Sequence, residues 1–272
     1  MPEPFILMCA PNGARRLKAD HSALPINPAE IAACAEEVYE TGASILHLHV
    51  RDPDGKHSLD PEYYLPAIDA VRKLVGRQLI IQVTTEAVGQ YMRDEQKEVV
   101  KAVRPEAVSF ALREICGSED LVLDTADFFG WMRAENIFPQ IILYDEQDVT
   151  RFMGMKRRGV FATDKPFVLC VLGRHEVEAS GKLEGFAANL SAESVPWAVC
   201  GFGENEHGLP ALAAKLGGHV RVGFENNIWR QDGTLAVNNA ELVTAAKDAV
   251  ERSGRTLAKA DDVREMFALA KM

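Results

Sequence analysis

The chain has 272 residues, 47% of them apolar, and a formal net charge of -10. That length allows one barrel of about 250 residues or two smaller units, and no run approaches the roughly 18 apolar residues of a membrane span. The charge disfavours nucleic acid as a general partner, because a phosphate-binding surface needs clustered Lys and Arg, and ARRLK (14–18) and KRR (156–158) are the only basic clusters. Five cysteines, Cys9, Cys34, Cys116, Cys170 and Cys200, are odd in number and lack any C-x-x-C, so neither a disulfide framework nor a thiolate zinc site is expected. The N-terminal MPEPFILMCAPNG has no basic residue ahead of its apolar run and reads as a first strand rather than a signal peptide. Cytoplasm is the expected compartment.

In chain order, eight short apolar runs alternate with longer helical patterns. They are FILMCA (5–10), SILHLHV (44–50), LIIQV (79–83), AVSFAL (107–112), PQIILY (139–144), FVLCVL (167–172), PWAVCG (196–201) and HVRVGF (219–224). Asn27-Pro28-Ala29-Glu30 and Asp60-Pro61-Glu62 open the first two helices with a capping side chain, a first-turn proline and an early acid. The sixth connection, GRHEVEASGKLEG, is polar and Gly-rich before a short helix at about 186–193, and it reads as an active-site loop. Final helices fall at 239–252 and 261–271, the last over the barrel floor or a neighbouring subunit. Eight βα units without a linker predict a single TIM (β/α)8 barrel over residues 1–272 with an additional C-terminal helix. A doubly wound sheet is the runner-up, but the turn APNGARR lacks the G-x-G-x-x-G of a dinucleotide site.

In a barrel the residues at the C-terminal strand ends carry the chemistry. Here they include Asn12 and Arg15, His47 and His49, Gln82, Thr84 and Glu86, Ser109, Asp145, Arg174 and His175, and Arg221 with Glu225 and Asn226. Alternation along a strand puts His47 and His49 on one face, with Leu46, Leu48 and Val50 on the other. Two imidazoles so placed can reach one cation, and Glu225 at the end of the eighth strand is the candidate carboxylate to complete a two-His, one-carboxylate set. The competing reading is a pair of structural histidines. His175 and His207 read as surface loop residues, and His219 as a structural residue at the bottom of its strand.

The assembled residues resemble the β-keto acid cleavage enzymes, a barrel family long known only as a domain of unknown function. The resemblance runs through APNGARRLKADHSALPINPAEIA, GASILHLHVRDPDGKHSLD, IIQVTTEAVG, RPEAVSFALRE, PFVLCVLGR, WAVCGFGE and GGHVRVGFENN, covering essentially the whole chain in order. It implies a metal-dependent exchange in which a β-keto acid and acetyl-CoA give acetoacetate and the CoA ester of the remaining acyl group. It implies zinc on His47, His49 and Glu225, catalytic roles for Arg221, Thr84 and Ser109, and a homo-oligomer, a tetramer or a dimer. Two departures stand out. The family's founding enzyme has an acid after the ligand glutamate that serves as general base, whereas this chain has Asn226, which cannot take a proton. Glu86 is the expected substitute, with Asp145 second. Arg15 stands where that enzyme has a glutamate facing a substrate ammonium, so with Asn12 it is expected to bind an anionic, possibly dicarboxylic, substrate. For CoA, Arg174 and the Gly203 turn are the expected contacts. A catalytically altered metal-binding barrel and a metal-dependent hydrolase are the alternative readings.

Overall fold

Side chains that alternate between a helix-facing and a lumen-facing row force the eight apolar runs into one closed sheet. The computed structural model describes residues 3–173 and 180–269. Its strands are β1 (Leu7–Cys9), β2 (Ile45–Leu48), β3 (Val50–Arg51), β4 (His57–Ser58), β5 (Ile80–Thr84), β6 (Ala107–Ala111), β7 (Phe138–Leu143), β8 (Phe167–Leu172), β9 (Trp197–Gly201) and β10 (His219–Val222). All but β3 and β4 form a parallel barrel in the order β1-β10-β9-β8-β7-β6-β5-β2, closed by pairing of β2 with β1. β3 and β4 pair antiparallel as a small hairpin on the rim. Leu46, Leu48 and Val50 join the outer core under the helices, while Ile6, Met8, Ile45, Ile80, Phe138 and Phe167 fill the lower lumen.

The two helix-opening motifs act as their sequences dictate. Asn27 Oδ1 accepts from Glu30 N at 3.0 Å and starts the helix Pro28–Thr41, while Asp60 Oδ1 accepts from Glu62 N at 2.8 Å ahead of Pro61–Val75. Each cap satisfies an amide that the first turn leaves without an intrahelical partner, an effect worth about 1 kcal/mol.

Several placements differ from the sequence reading. β2 stops at Leu48, so His49 lies just beyond it, because the chain turns into the hairpin there. The run at 107–112 ends one residue early and passes straight into a single helical turn, Leu112–Ile115. The helix after β8 starts at Ser180 rather than near 186, and His207 lies in the helix Asn205–Leu216 rather than in a loop. The last helix is shorter, Ala260–Met266.

That last helix closes the floor. Val263 is fully buried, and Phe267 packs its ring 4.4 Å from Phe138 and 5.0 Å from Phe167. Arg264 holds the helix in place through Glu106 Oε1 at 2.6 Å, and Arg72 meets the same carboxylate at 2.8 Å. His219 sits at this end, where its Nδ1 accepts from Ile6 N at 2.9 Å, so its role is structural as expected.

Candidate active site

The polar rim begins with a chain of side chains reaching up the lumen. Gln82 Nε2 donates to Gln140 Oε1 at 3.1 Å, so Gln82 Oε1 is the acceptor in its 2.7 Å contact with His47 Nδ1. His47 therefore carries its proton on Nδ1 and presents the Nε2 lone pair. Burial, reinforced by the positive charge of Arg221, lowers its pKa to about 3, which keeps the ring neutral at working pH.

That lone pair meets two others. His47 Nε2 lies 3.2 Å from His49 Nε2 and 3.4 Å from Glu225 Oε2, and His49 Nε2 lies 3.2 Å from the same oxygen. Two ligands on a tetrahedral ion with bonds of about 2.05 Å sit about 3.3 Å apart, so the triangle has the spacing of three such ligands. Glu225 Oε2 is buried without a hydrogen-bond partner, which is a costly arrangement unless a cation supplies the missing interaction. Among the described residues, this is the one group of three His, Cys, Asp or Glu side chains whose ligand atoms lie within 4.8 Å of one another. A neutral His47 ring and an ionised carboxylate are also protonation states that a divalent ion requires. Burial pushes the Glu225 carboxyl up, but Arg221 and the two histidines hold it well below the usual range.

The loop carrying Glu225 is braced from four directions. Arg221 Nη2 bonds Glu225 Oε1 at 2.8 Å, and Arg16 Nη1 reaches the carbonyls of Phe224 and Glu225, both at 2.9 Å. Glu206 accepts from Gly223 N at 3.0 Å, and Asn239 Oδ1 accepts from Phe224 N at 2.8 Å. Gly13 packs so closely that a Cβ there would lie 2.5 Å from Glu225 Cγ, and its φ of +64° also favours glycine. Buried atoms this constrained give the carboxylate one position before any ligand arrives.

Other expected residues gather around the same mouth. Thr84 and Ser109 are paired in register across β5 and β6. Thr84 Oγ1 accepts from Glu86 N at 3.1 Å, leaving its own proton to donate, while Ser109 Oγ is buried without a partner. Arg221 Nε, Asn12 Oδ1 and both polar atoms of the Asn226 side chain are buried and unpartnered too. A cavity of about 670 Å³ opens here, lined by Asn12, Arg15, Glu86, Arg113, Tyr144, Phe202 and Glu225.

Some expectations change. Arg15 is not an isolated cation at the mouth, since its Nη2 lies 3.6 Å from Glu86 Oε1. Asn12 spends its amide nitrogen on the carbonyls of Pro25 and His49, both at 3.0 Å, and so anchors the His49 backbone. Gly203 N donates to Asn226 O at 3.1 Å, which removes that amide from any role toward a CoA phosphate and makes the turn a brace. Asp145 caps the helix Glu146–Arg157 through Asp148 N and pairs with Arg113, so it is committed to structure. Arg174 and His175 lie outside the described residues.

Gln82 stood among the rim residues, but its role as the acceptor for His47 depends on Gln140, a partner two strands away. Glu206 and Gly13 were also missed. A buried glutamate on the first turn of a helix, and a glycine in the A-P-N-G turn, carry only the generic signals of a helix start and a tight turn.

Comparisons with known proteins agree with this geometry. A sequence profile described as beta-keto acid cleavage enzyme matches residues 4–269. Over 276 residues, covering 100% of both chains, the sequence is 32% identical to a 3-keto-5-aminohexanoate cleavage enzyme of Fusobacterium nucleatum. It is 26% identical to a 3-oxoadipate:acetyl-CoA acetyltransferase of Cupriavidus necator, covering 100% of this chain and 97% of that one. The fold resembles that of ObcA in its binary complex with oxaloacetate, with a TM-score of 0.77 and 19% identity over 91% of this chain and 68% of that one.

Proposed function

The chain belongs to the β-keto acid cleavage enzyme family, and on that premise we propose that it holds a divalent metal, zinc being the best match, on His47, His49 and Glu225. The reaction we assign is an exchange of carbon–carbon partners: a β-keto acid and acetyl-CoA give acetoacetate and the acyl-CoA of the remaining fragment. The observation that carries this reading is the triangle of donor atoms at 3.2–3.4 Å, closed by a carboxylate oxygen with no other partner. A metal there would act as a Lewis acid on the keto and carboxylate oxygens.

The chain's own groups divide the remaining work. Arg221, fixed by Glu225 and by Cys200 Sγ at 3.3 Å, keeps a buried Nε–H unspent and supplies a positive charge that does not reorganise as a substrate oxygen gains charge. The hydroxyls of Ser109 and Thr84 donate to the same oxygens. Asn226 donates and accepts but moves no proton, so proton transfer falls to Glu86, which shares the cavity with Glu225 and with Glu114, a carboxylate engaged by Ala87 N and Gln96 Nε2.

Substrate choice follows from Arg15 and Glu86. Their pairing places one positive and one negative group at the mouth, and release of Glu86 for proton transfer leaves Arg15 to meet an anionic distal group. The 26% relative named for 3-oxoadipate is consistent with a dicarboxylic β-keto acid. Acetyl-CoA-dependent acetoacetate release, measured with dicarboxylic, apolar and amino keto acids alongside metal content, tests the reading. Turnover of a dicarboxylic substrate by metal-loaded protein is expected. A preference for the amino substrate sinks the anionic assignment, and absence of bound metal sinks the site.

A further inference from the structure

His47 has its second-ring-nitrogen partner in Gln82, whereas His49 has none among the described residues: its Nδ1 is buried and unpartnered. Resting on the proposed metal site, the following argument concerns what completes it. For His49 Nε2 to offer a lone pair to a metal, the neutral ring must carry its proton on Nδ1 and needs an acceptor for it. The neighbouring ring is His57, on the β3–β4 hairpin, with centroids 5.2 Å apart at an interplanar angle of 54°.

His57 is 5% exposed, and its Nε2 lies 2.9 Å from the carbonyl oxygen of Glu86. A carbonyl only accepts, so the proton of this ring sits on Nε2 and its Nδ1 is left as a lone pair. That Nδ1 is likewise buried without a partner. One ring therefore has an unspent donor and the adjacent ring an unspent acceptor, both cut off from solvent, where each unmade bond costs about 1–3 kcal/mol.

We propose that His57 is the positioning residue for His49, accepting the His49 Nδ1 proton directly or across one water, as Gln82 accepts that of His47. The same ring ties His49 to the backbone of Glu86, so one side chain sets both a metal ligand and the strand end that carries the proposed base. The loop sequence DPDGKHS serves this purpose: its turn, held by Asp52 Oδ1 accepting from Asp54 N and Lys56 N, folds His57 back over His49.

The test uses the full chain loaded with Zn2+. In long-range 1H–15N spectra the wild type is expected to show His57 as the Nε2–H tautomer and a slowly exchanging His49 Nδ1 proton. His57→Phe, which keeps a ring against Tyr91, is expected to lose that protected proton and to weaken Zn2+ binding about 10- to 100-fold in chelator competition. His57→Gln, which restores an acceptor, is expected to recover part of the affinity. An Nδ1–H tautomer for His57 in the wild type overturns the proposal without any variant. So does a His57→Phe protein that binds Zn2+ like the wild type with the His49 proton still protected, an outcome that points to Asn12 Oδ1 as the acceptor. A wild type that binds no Zn2+ overturns the metal reading itself, which separates the two failures.

Discussion

The two ends of the barrel treat their polar groups in opposite ways. At the floor, Glu106 is shared between Arg72 and Arg264, His219 takes the Ile6 amide, and the closing helix is packed by aromatic rings. At the rim, His49 Nδ1, Ser109 Oγ, Arg221 Nε, Glu225 Oε2 and the Asn226 amide are all buried and unpartnered. Of the buried side-chain atoms in that condition among the described residues, only Arg255 Nε lies outside the rim. Unpaired buried groups cost stability, so their concentration at one end marks where the chain accepts that cost in exchange for chemistry. The floor holds the fold, and the rim keeps its donors and acceptors unspent.

Substitutions that exchange the two roles test this contrast. The largest effect is expected from Glu225→Gln: loss of bound metal by elemental analysis and loss of turnover to background, in a chain that still folds by circular dichroism but with a lowered thermal midpoint, because Arg221 loses its carboxylate. Arg221→Met is expected to lower kcat by about 10²- to 10³-fold, as for loss of one fixed oxyanion donor. Purified variants assayed at saturating substrate check this, and a loss in KM alone would speak against the role.

Glu106→Gln reverses the pattern. It leaves Arg264 and Arg72 without their shared carboxylate, and the expected cost is about 2–4 kcal/mol in urea denaturation with kcat unchanged. Arg15→Glu is expected to shift kcat/KM away from a dicarboxylic substrate and toward an amino one by only about fivefold, because the side chain is 66% exposed and an exposed pair is worth ~1 kcal/mol.

The floor also carries a pH dependence. Burial, with Arg255 nearby, lowers the His219 pKa from 6.5 to about 3. The unfolded state then binds a proton that the folded state refuses, so this contribution is fully present above pH 6.5 and is lost as the pH falls toward 3. Urea midpoints at pH 7 and pH 5 are expected to differ less in His219→Gln than in the wild type.

The sequence carried the architecture because all eight barrel runs keep a lumen-facing row and a helix-facing row, and Asn27-Pro28 and Asp60-Pro61 mark helix starts by local chemistry alone. His47 and Glu225 were legible for the same reason, lying at strand ends. His49 was placed on the right side but in the wrong element: alternation through Val50 looks like one strand, while the chain leaves the barrel at His49 and pairs Val50 and Arg51 with β4 instead. His57 drew no notice, since a histidine in a polar hairpin has the pattern of a surface residue until the hairpin is seen to fold inward. The commitment of the Gly203 amide was hidden for a related reason. Which group an amide meets depends on the loop after the neighbouring strand, and no local pattern records that Gly203 N is spent on Asn226 O.

β1 pairs with β2 on one side and β10 on the other, so the three donors straddle the seam where the barrel closes. His47 and His49 are made early in synthesis and Glu225 late, and no open-ended intermediate lacking the last βα unit brings them together. Capture of the proposed metal would thereby be a readout of ring completion. In a stopped-flow refolding experiment, a chelating dye should lose its zinc only in the phase that docks β10 against β1, which turns a catalytic centre into a clock for the final step of assembly.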